Sequence, residues 1–279
     1  MFTIKDWISQ QQQQAPNRQA IATNVLRQLL AAALNKNSAW LFAHPDHPLT
    51  VGNIQQLDEW LSRLKTGEPL AYITGQQAFW DLTLQVNPHT LIPRPDSEIL
   101  IETAVSLYEK QAPERVLDLG TGSGALALAL ARVFPQATIL ATDQSAPALE
   151  MASKNARINR IKQVTFLQSD WFEHIPAQKF DLIVSNPPYL ATDDEHLEAL
   201  QHEPTSALVA GEQGLSDFLD ITSRAPDFLS HGGILMFEHG WQQQQAVADI
   251  LAAGGFQDIG FAKDLAGHDR VTWGRLQKP

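Results

Sequence analysis

Residues 115–133 read RVLDLGTGSGALALALARV, and their order decides the fold. RVLDL reads as a strand, GTGSG follows without a gap, and ALALALARV is built from good helix formers. A strand, a glycine turn and a helix N-terminus in succession let backbone approach a nucleotide closely. The glycines are Gly120, Gly122 and Gly124. Ala125 stands where the dinucleotide fingerprint wants its third glycine, which weakens a pyrophosphate-binding reading. A second strand over 138–142 (TILAT) ends in Asp143, roughly 20 residues beyond the glycines, where an acidic side chain can hold ribose hydroxyls.

Residues 180–185 (FDLIVS) are short, apolar and almost free of charge, as a buried parallel strand should be. Asn186-Pro187-Pro188-Tyr189 follows at once. Two prolines cannot continue a strand, and the first pushes Asn186 into an extended conformation. The result is a stiff corner with one amide side chain, free carbonyls and a ring. It falls beyond the carboxyl end of a strand, where open α/β sheets bind ligands. Alone, such a corner is a strand-terminating turn; behind a cofactor loop it becomes a candidate site. Between the two stretches, 146–159 reads as a helix and 164–168 (VTFLQ) as a strand, followed by Ser169-Asp170-Trp171-Phe172. Asp170 can accept from an adenine amino group and Trp171 can cover the ring face, although a Trp there also closes a core edge.

Helix and strand patterns alternate through 95–279, which predicts a mainly parallel, doubly wound α/β sheet. Residues 1–74 show helical periodicity, in 17–34 and in 50–65 with Thr50 or Asn53 as cap, and predict a small helical bundle. His44 and His47 lie in a proline loop without carboxylate or cysteine partners, so no metal pair is expected. Residues 75–94 are read as a β-hairpin linker, with 79–86 as one strand and 89–92 as its return. A helix is expected over 97–110, capped by Asp96 or Ser97. After the corner, a helix over 217–229, a strand over 233–238, a helix over 244–253 and strands over 256–262 and 270–276 complete the domain.

The chain has 279 residues, 44% hydrophobic, and no cysteine, which excludes disulfides and thiolate metal sites. No apolar run is long enough to span a bilayer and no secretory signal opens the chain, so a cytoplasmic location is expected. Net charge is −11, and it is uneven: residues 1–75 hold six Lys/Arg and five Asp/Glu, leaving −12 on the rest. An acidic catalytic half is a poor partner for a phosphate backbone.

The glycine loop, Asp143 and Asn-Pro-Pro-Tyr, in this order, resemble the class I S-adenosylmethionine-dependent methyltransferases with an amino-group acceptor. The narrower resemblance is to the protein-glutamine N5-methyltransferases of peptide-chain release factors (the HemK/PrmC family). It is carried also by residues 72–75 (YITG), Phe79-Trp80, 93–98 (PRPDSE), 203–208 (EPTSAL) and 211–215 (GEQGL). The resemblance implies a Rossmann-like sheet of seven strands with an antiparallel one near the edge. It implies S-adenosylmethionine as cofactor, S-adenosylhomocysteine as product and no metal. Cofactor contacts fall on Gly120, Thr121, Gly122, Ser123, Gly124, Asp143, Asp170, Trp171 and Asn186. Catalysis and substrate binding fall on Asn186, Pro187, Pro188 and Tyr189. The implied partner is a class I release factor, modified on the glutamine of its Gly-Gly-Gln loop and met through the N-terminal bundle, with neither membrane nor DNA involved. Rival readings are an adenine N6-methyltransferase of nucleic acid, a glutamine methyltransferase of a ribosomal protein, and an inactive fold that binds translation factors.

The chemistry fits the corner. A carboxamide nitrogen is a poor nucleophile and far too weak an acid for His or Glu to deprotonate at neutral pH. The site therefore needs acceptors that grip both N–H bonds. The Asn186 oxygen can take one, a carbonyl of Pro187 or Pro188 the other, and Tyr189 can stack on the flat amide. Glu203 is either a pocket residue or an acidic loop group.

Overall fold

The structure, a computed structural model, describes residues 1–14 and 21–277 and divides into two compact units, Met1–Gly75 and Gln76–Pro279. The first is helical, with helices Ile4–Gln14, Thr23–Leu34, Ser38–Ala43, Val51–Lys65 and Leu70–Thr74. Leu26, Leu29 and Leu30 form one buried face and meet Trp7, Leu41, Leu57, Leu61 and Ile73 in a separate core. The second helix is found from Thr23; residues 17–20 of its expected span lie outside the described residues. Thr50 and Asn53 cap reciprocally, each accepting from the other's backbone N–H at 3.1 Å. His44 and His47 both pack on Trp40, with ring centroids at 4.3 and 4.9 Å.

In the second unit the expected hairpin pairing does not form. Strand β1 (Gln76–Phe79) pairs antiparallel with β2 (Leu82–Gln85), and Trp80 and Asp81 make the turn. Residues 89–92 are not a strand. Alternation runs straight through this turn, and no glycine, proline or asparagine marks it. Trp80 adopts φ 55, held by its N–H donating to Glu98 Oε1 at 2.8 Å. The hairpin belongs to this unit's core, through Phe79, Leu82 and Leu84. The next helix is Glu98–Leu107, preceded by a 3-10 turn over Pro95–Ser97. Ser97 does not cap it: no side chain does, and its own backbone is already helical.

Seven strands form the main sheet: β3 (Arg115–Leu119), β4 (Thr138–Asp143), β5 (Val164–Gln168), β6 (Phe180–Ser185), β7 (Leu229–Glu238), β8 (Phe256–Lys263) and β9 (Asp269–Leu276). Their order is β5-β4-β3-β6-β7-β9-β8, and β9 runs antiparallel to both neighbours. Strand period sorts the core into two layers. Val116, Leu182 and Ile234 face helices Glu98–Leu107 and Ala125–Val133, whereas Leu117, Ile183 and Leu235 face Phe218, Ile221, Val247 and Leu251. The order in which strands are added reverses between the parallel neighbours β3 and β6, which leaves a crevice beyond their carboxyl ends.

Candidate active site

Leu119 pairs with Ser185 in the register of β3 and β6, so the glycine loop and the Asn-Pro-Pro-Tyr bend leave the sheet side by side. Gly120, Gly122 and Gly124 have φ of 72, 54 and 86°, so the backbone curls back on itself before helix Ala125–Val133 begins. At Gly124 a Cβ would lie 3.1 Å from the Ala152 Cβ and 3.3 Å from its Cα, so glycine is required for the approach of helix Ala146–Ile158. At Gly122 nothing lies within 4 Å of such an atom. The loop thus presents bare backbone to open space.

Asp143 ends β4 beside it. Its Oδ2 accepts from Gly122 N and its Oδ1 from Ser145 N, both at 2.8 Å. Burial raises its carboxyl, and these two bonds pull it back. Each oxygen keeps a second acceptor position for a hydroxyl. Trp171, at φ 41 just after β5, brings its ring to within 3.5 Å of a Cβ at Gly120.

One cavity of about 660 Å³ collects these groups, a size suited to a small ligand. Gly120, Thr121, Gly122, Ser123, Asp143, Asp170, Trp171, Asn186 and Pro188 line it. Gly124, Pro187 and Tyr189 do not; they stand behind the wall. The Tyr189 ring packs against the core layer of Phe237 and Phe218, and burial pushes its hydroxyl up to about 12. Its backbone is pinned, with N donating to Leu208 O at 3.2 Å and O accepting from Gln243 Nε2 at 3.0 Å. The floor therefore offers what an adenosyl group needs: bare backbone, an acidic strand end and an aromatic face.

Residues 6–75 match the family PrmC N-terminal domain, and residues 95–211 match Methyltransferase small domain. A release factor glutamine methyltransferase of Escherichia coli is 42% identical over 275 residues, 98% of this chain and 97% of that one. A release factor glutamine methyltransferase of Xylella fastidiosa is 44% identical over 249 residues, 88% of this chain and 90% of that one. The chain belongs to the release factor glutamine methyltransferase family. At the level of fold alone, a Pyrococcus furiosus methyltransferase superposes with TM-score 0.56 at 18% identity, covering 79% of this chain and 100% of that one.

Several residues that brace the surroundings of this cavity have no motif of their own. Asn155 is fully buried in helix Ala146–Ile158. Its Nδ2 donates to Ser123 O and Gln85 O, both at 2.9 Å, and its Oδ1 accepts from Gln85 N at 2.7 Å. It thereby ties the glycine loop to the hairpin. Asp118 lies beneath the loop, its Oδ2 accepting from the Thr121 hydroxyl at 2.6 Å and from Ala127 N at 3.2 Å. Burial pushes Asp118 up to about 7, against those two bonds. Glu203 does not line the cavity; buried, it braces the fold. Its Oε2 accepts from Ile92 N at 3.0 Å and its Oε1 from the Arg94 guanidinium. It fastens the irregular stretch around 89–94 to the segment after the bend. The only sequence signal for Asn155 is a polar residue on the buried face shared with Ala148 and Ala152.

Proposed function

We propose that this chain transfers a methyl group from S-adenosylmethionine to the side-chain nitrogen of the glutamine in the Gly-Gly-Gln loop of class I release factors. The observation that carries the proposal is that Asn186 and the glycine loop line one cavity at the crevice of the sheet. Identity of 42% over nearly the full length of a release factor glutamine methyltransferase supports the substrate.

The bound cofactor supplies an electrophilic methyl on a sulfonium. The glycine loop gives it backbone N–H groups, Asp143 takes ribose hydroxyls, and Asp170 and Trp171 bracket the adenine. Asn186 Oδ1 takes one N–H of the substrate amide, and a carbonyl of the Pro187-Pro188 pair takes the other. Both bonds leave the nitrogen undeprotonated before attack and fix its direction; as the N–C bond forms and the S–C bond breaks, one N–H proton passes to solvent. Orientation of this kind lowers a barrier by roughly 7–11 kcal/mol when attack is in line. Tyr189, set behind the wall, braces the bend. Residues 1–74 serve to recognise the release factor. Among the described residues no helix is long and apolar enough to cross a membrane. The substrate would be met in the cytoplasm.

The test is mass spectrometry of a class I release factor incubated with the protein and cofactor. The proposal expects one added methyl on the Gly-Gly-Gln glutamine; an unmodified glutamine overturns it.

A further inference from the structure

Register places Ser185 of β6 beside Phe237 of β7. The next residues, Asn186 and Glu238, therefore lie side by side at the carboxyl end of the sheet. Glu238 is 2% exposed, and its Oε2 lies buried without a hydrogen-bond partner. Asn186 and Ser97 neighbour its carboxylate, and both pull its carboxyl down. A glutamate is rarely buried without a partner to hold, and neither the cofactor floor nor the family's motifs give this one a role.

We propose that Glu238 is the positioning residue of the acceptor site: its carboxylate takes the Asn186 NH2 and so turns the Asn186 oxygen toward the substrate amide. This rests on the role given to Asn186 above. A side-chain amide fits its slot in two orientations that exchange donor for acceptor. An ionised carboxylate only accepts, so NH2 must face it and the oxygen must face the cavity. The flipped amide would set two acceptors together and offer a donor to a substrate that also donates. Donation to an anion in a dry site also polarises the amide and strengthens its oxygen as an acceptor.

The charged and polar groups around Glu238 come from three directions. Asp96 and Ser97 approach from the 3-10 turn, Arg270 from β9, and Asn186 and Tyr189 from the bend. Arg270 is itself shared, with Asp96 at 3.4 Å and Asp264 at 3.0 Å. Burial raises the Glu238 carboxyl to about 7; Ser97, Arg270 and Asn186 pull it down and Asp96 pushes it up. Once protonated, Glu238 carries an O–H that donates to the Asn186 oxygen, and the selection between orientations is lost.

Two readouts test this. In full-length protein labelled with 15N-asparagine, the Asn186 side-chain amide signal, assigned by its loss in Asn186→Ala, should shift with a midpoint near pH 7. In Glu238→Gln it should stay still. In turnover, Glu238→Ala should lower kcat by about a hundredfold with S-adenosylhomocysteine affinity kept. Glu238→Gln, which still offers an acceptor, should lose about tenfold and the acid limb of the kcat profile. An Asn186 signal that ignores pH between about 6 and 8 overturns the proposal. So does Glu238→Ala within about threefold of wild-type kcat, or an acid limb that persists in Glu238→Gln. The amide signal needs no substrate, so it is read even if Glu238→Ala does not fold. A wild-type protein that methylates no release factor sinks the functional reading instead and leaves the amide titration to be judged by itself.

Discussion

Gln243 holds the Asn-Pro-Pro-Tyr bend to the start of helix Gln244–Ala253: its Nε2 donates to Tyr189 O at 3.0 Å while its Oε1 accepts from Gly240 N at 2.9 Å. One side chain thereby fixes both the chain leaving β6 and the chain leaving β7. Removing it leaves a backbone donor and acceptor without partners. Gln243→Ala is expected to cost about 1–3 kcal/mol of stability in a denaturant titration. It should lower kcat more than it weakens S-adenosylhomocysteine binding, because the glycine loop is untouched.

Asn186→Ala is expected to abolish methyl transfer while cofactor binding, measured by calorimetry, is partly retained. The substitution removes the oxygen proposed to grip the substrate but leaves Gly120, Asp143 and Trp171 in place. Turnover at the wild-type rate would remove Asn186 from the mechanism.

Gly214 lies at φ 84, and a Cβ there would sit 2.1 Å from Tyr189 O and 2.8 Å from its carbonyl carbon. Backbone cannot yield as a flexible side chain would. Gly214→Ala is therefore expected to displace the bend, costing about 1–3 kcal/mol from overpacking alone and more with the left-handed backbone. Circular dichroism melting and a turnover assay check both consequences. In the melting measurement alone, Gly122→Ala, at φ 54 with no protein atom within 4 Å, serves as a control for backbone strain without a clash.

Asp118 makes stability depend on pH. Its carboxyl is raised from 3.8 to about 7 by burial, so between those values the folded protein holds a proton that the unfolded chain has released. Unfolding then releases a proton, and the contribution of Asp118 falls as pH rises through that window. Above it the contribution is constant. The difference in melting temperature between wild type and Asp118→Asn should change across this window and flatten above about pH 7. A difference independent of pH would show that Asp118 does not titrate there.

The sheet was legible because its central strands are short, mostly apolar runs: Arg115–Leu119 and Phe180–Ser185 are found at the expected residues. Glycines and prolines marked the loop and the bend, since both act through backbone conformation. The hairpin turn was not legible, because Trp80 reaches its left-handed conformation with a tertiary contact to Glu98 instead of a turn residue. Asn155 and Gln243 were equally silent, and Glu203 stood out only with two roles left open. Each bonds backbone between 54 and 111 residues away, and no local pattern encodes a partner at that range. Tyr189 shows the opposite limit: its motif was visible, but only the packing places its ring behind the cavity wall.

Strand β9 comes last of the seven along the chain, yet it lies inside the sheet, hydrogen-bonded to β7 on one side and β8 on the other. The domain therefore cannot finish assembling before Asp269–Leu276 has left the ribosome. A premature stop at Arg270 removes that side chain and most of an interior strand, and leaves β8 with no neighbour to join.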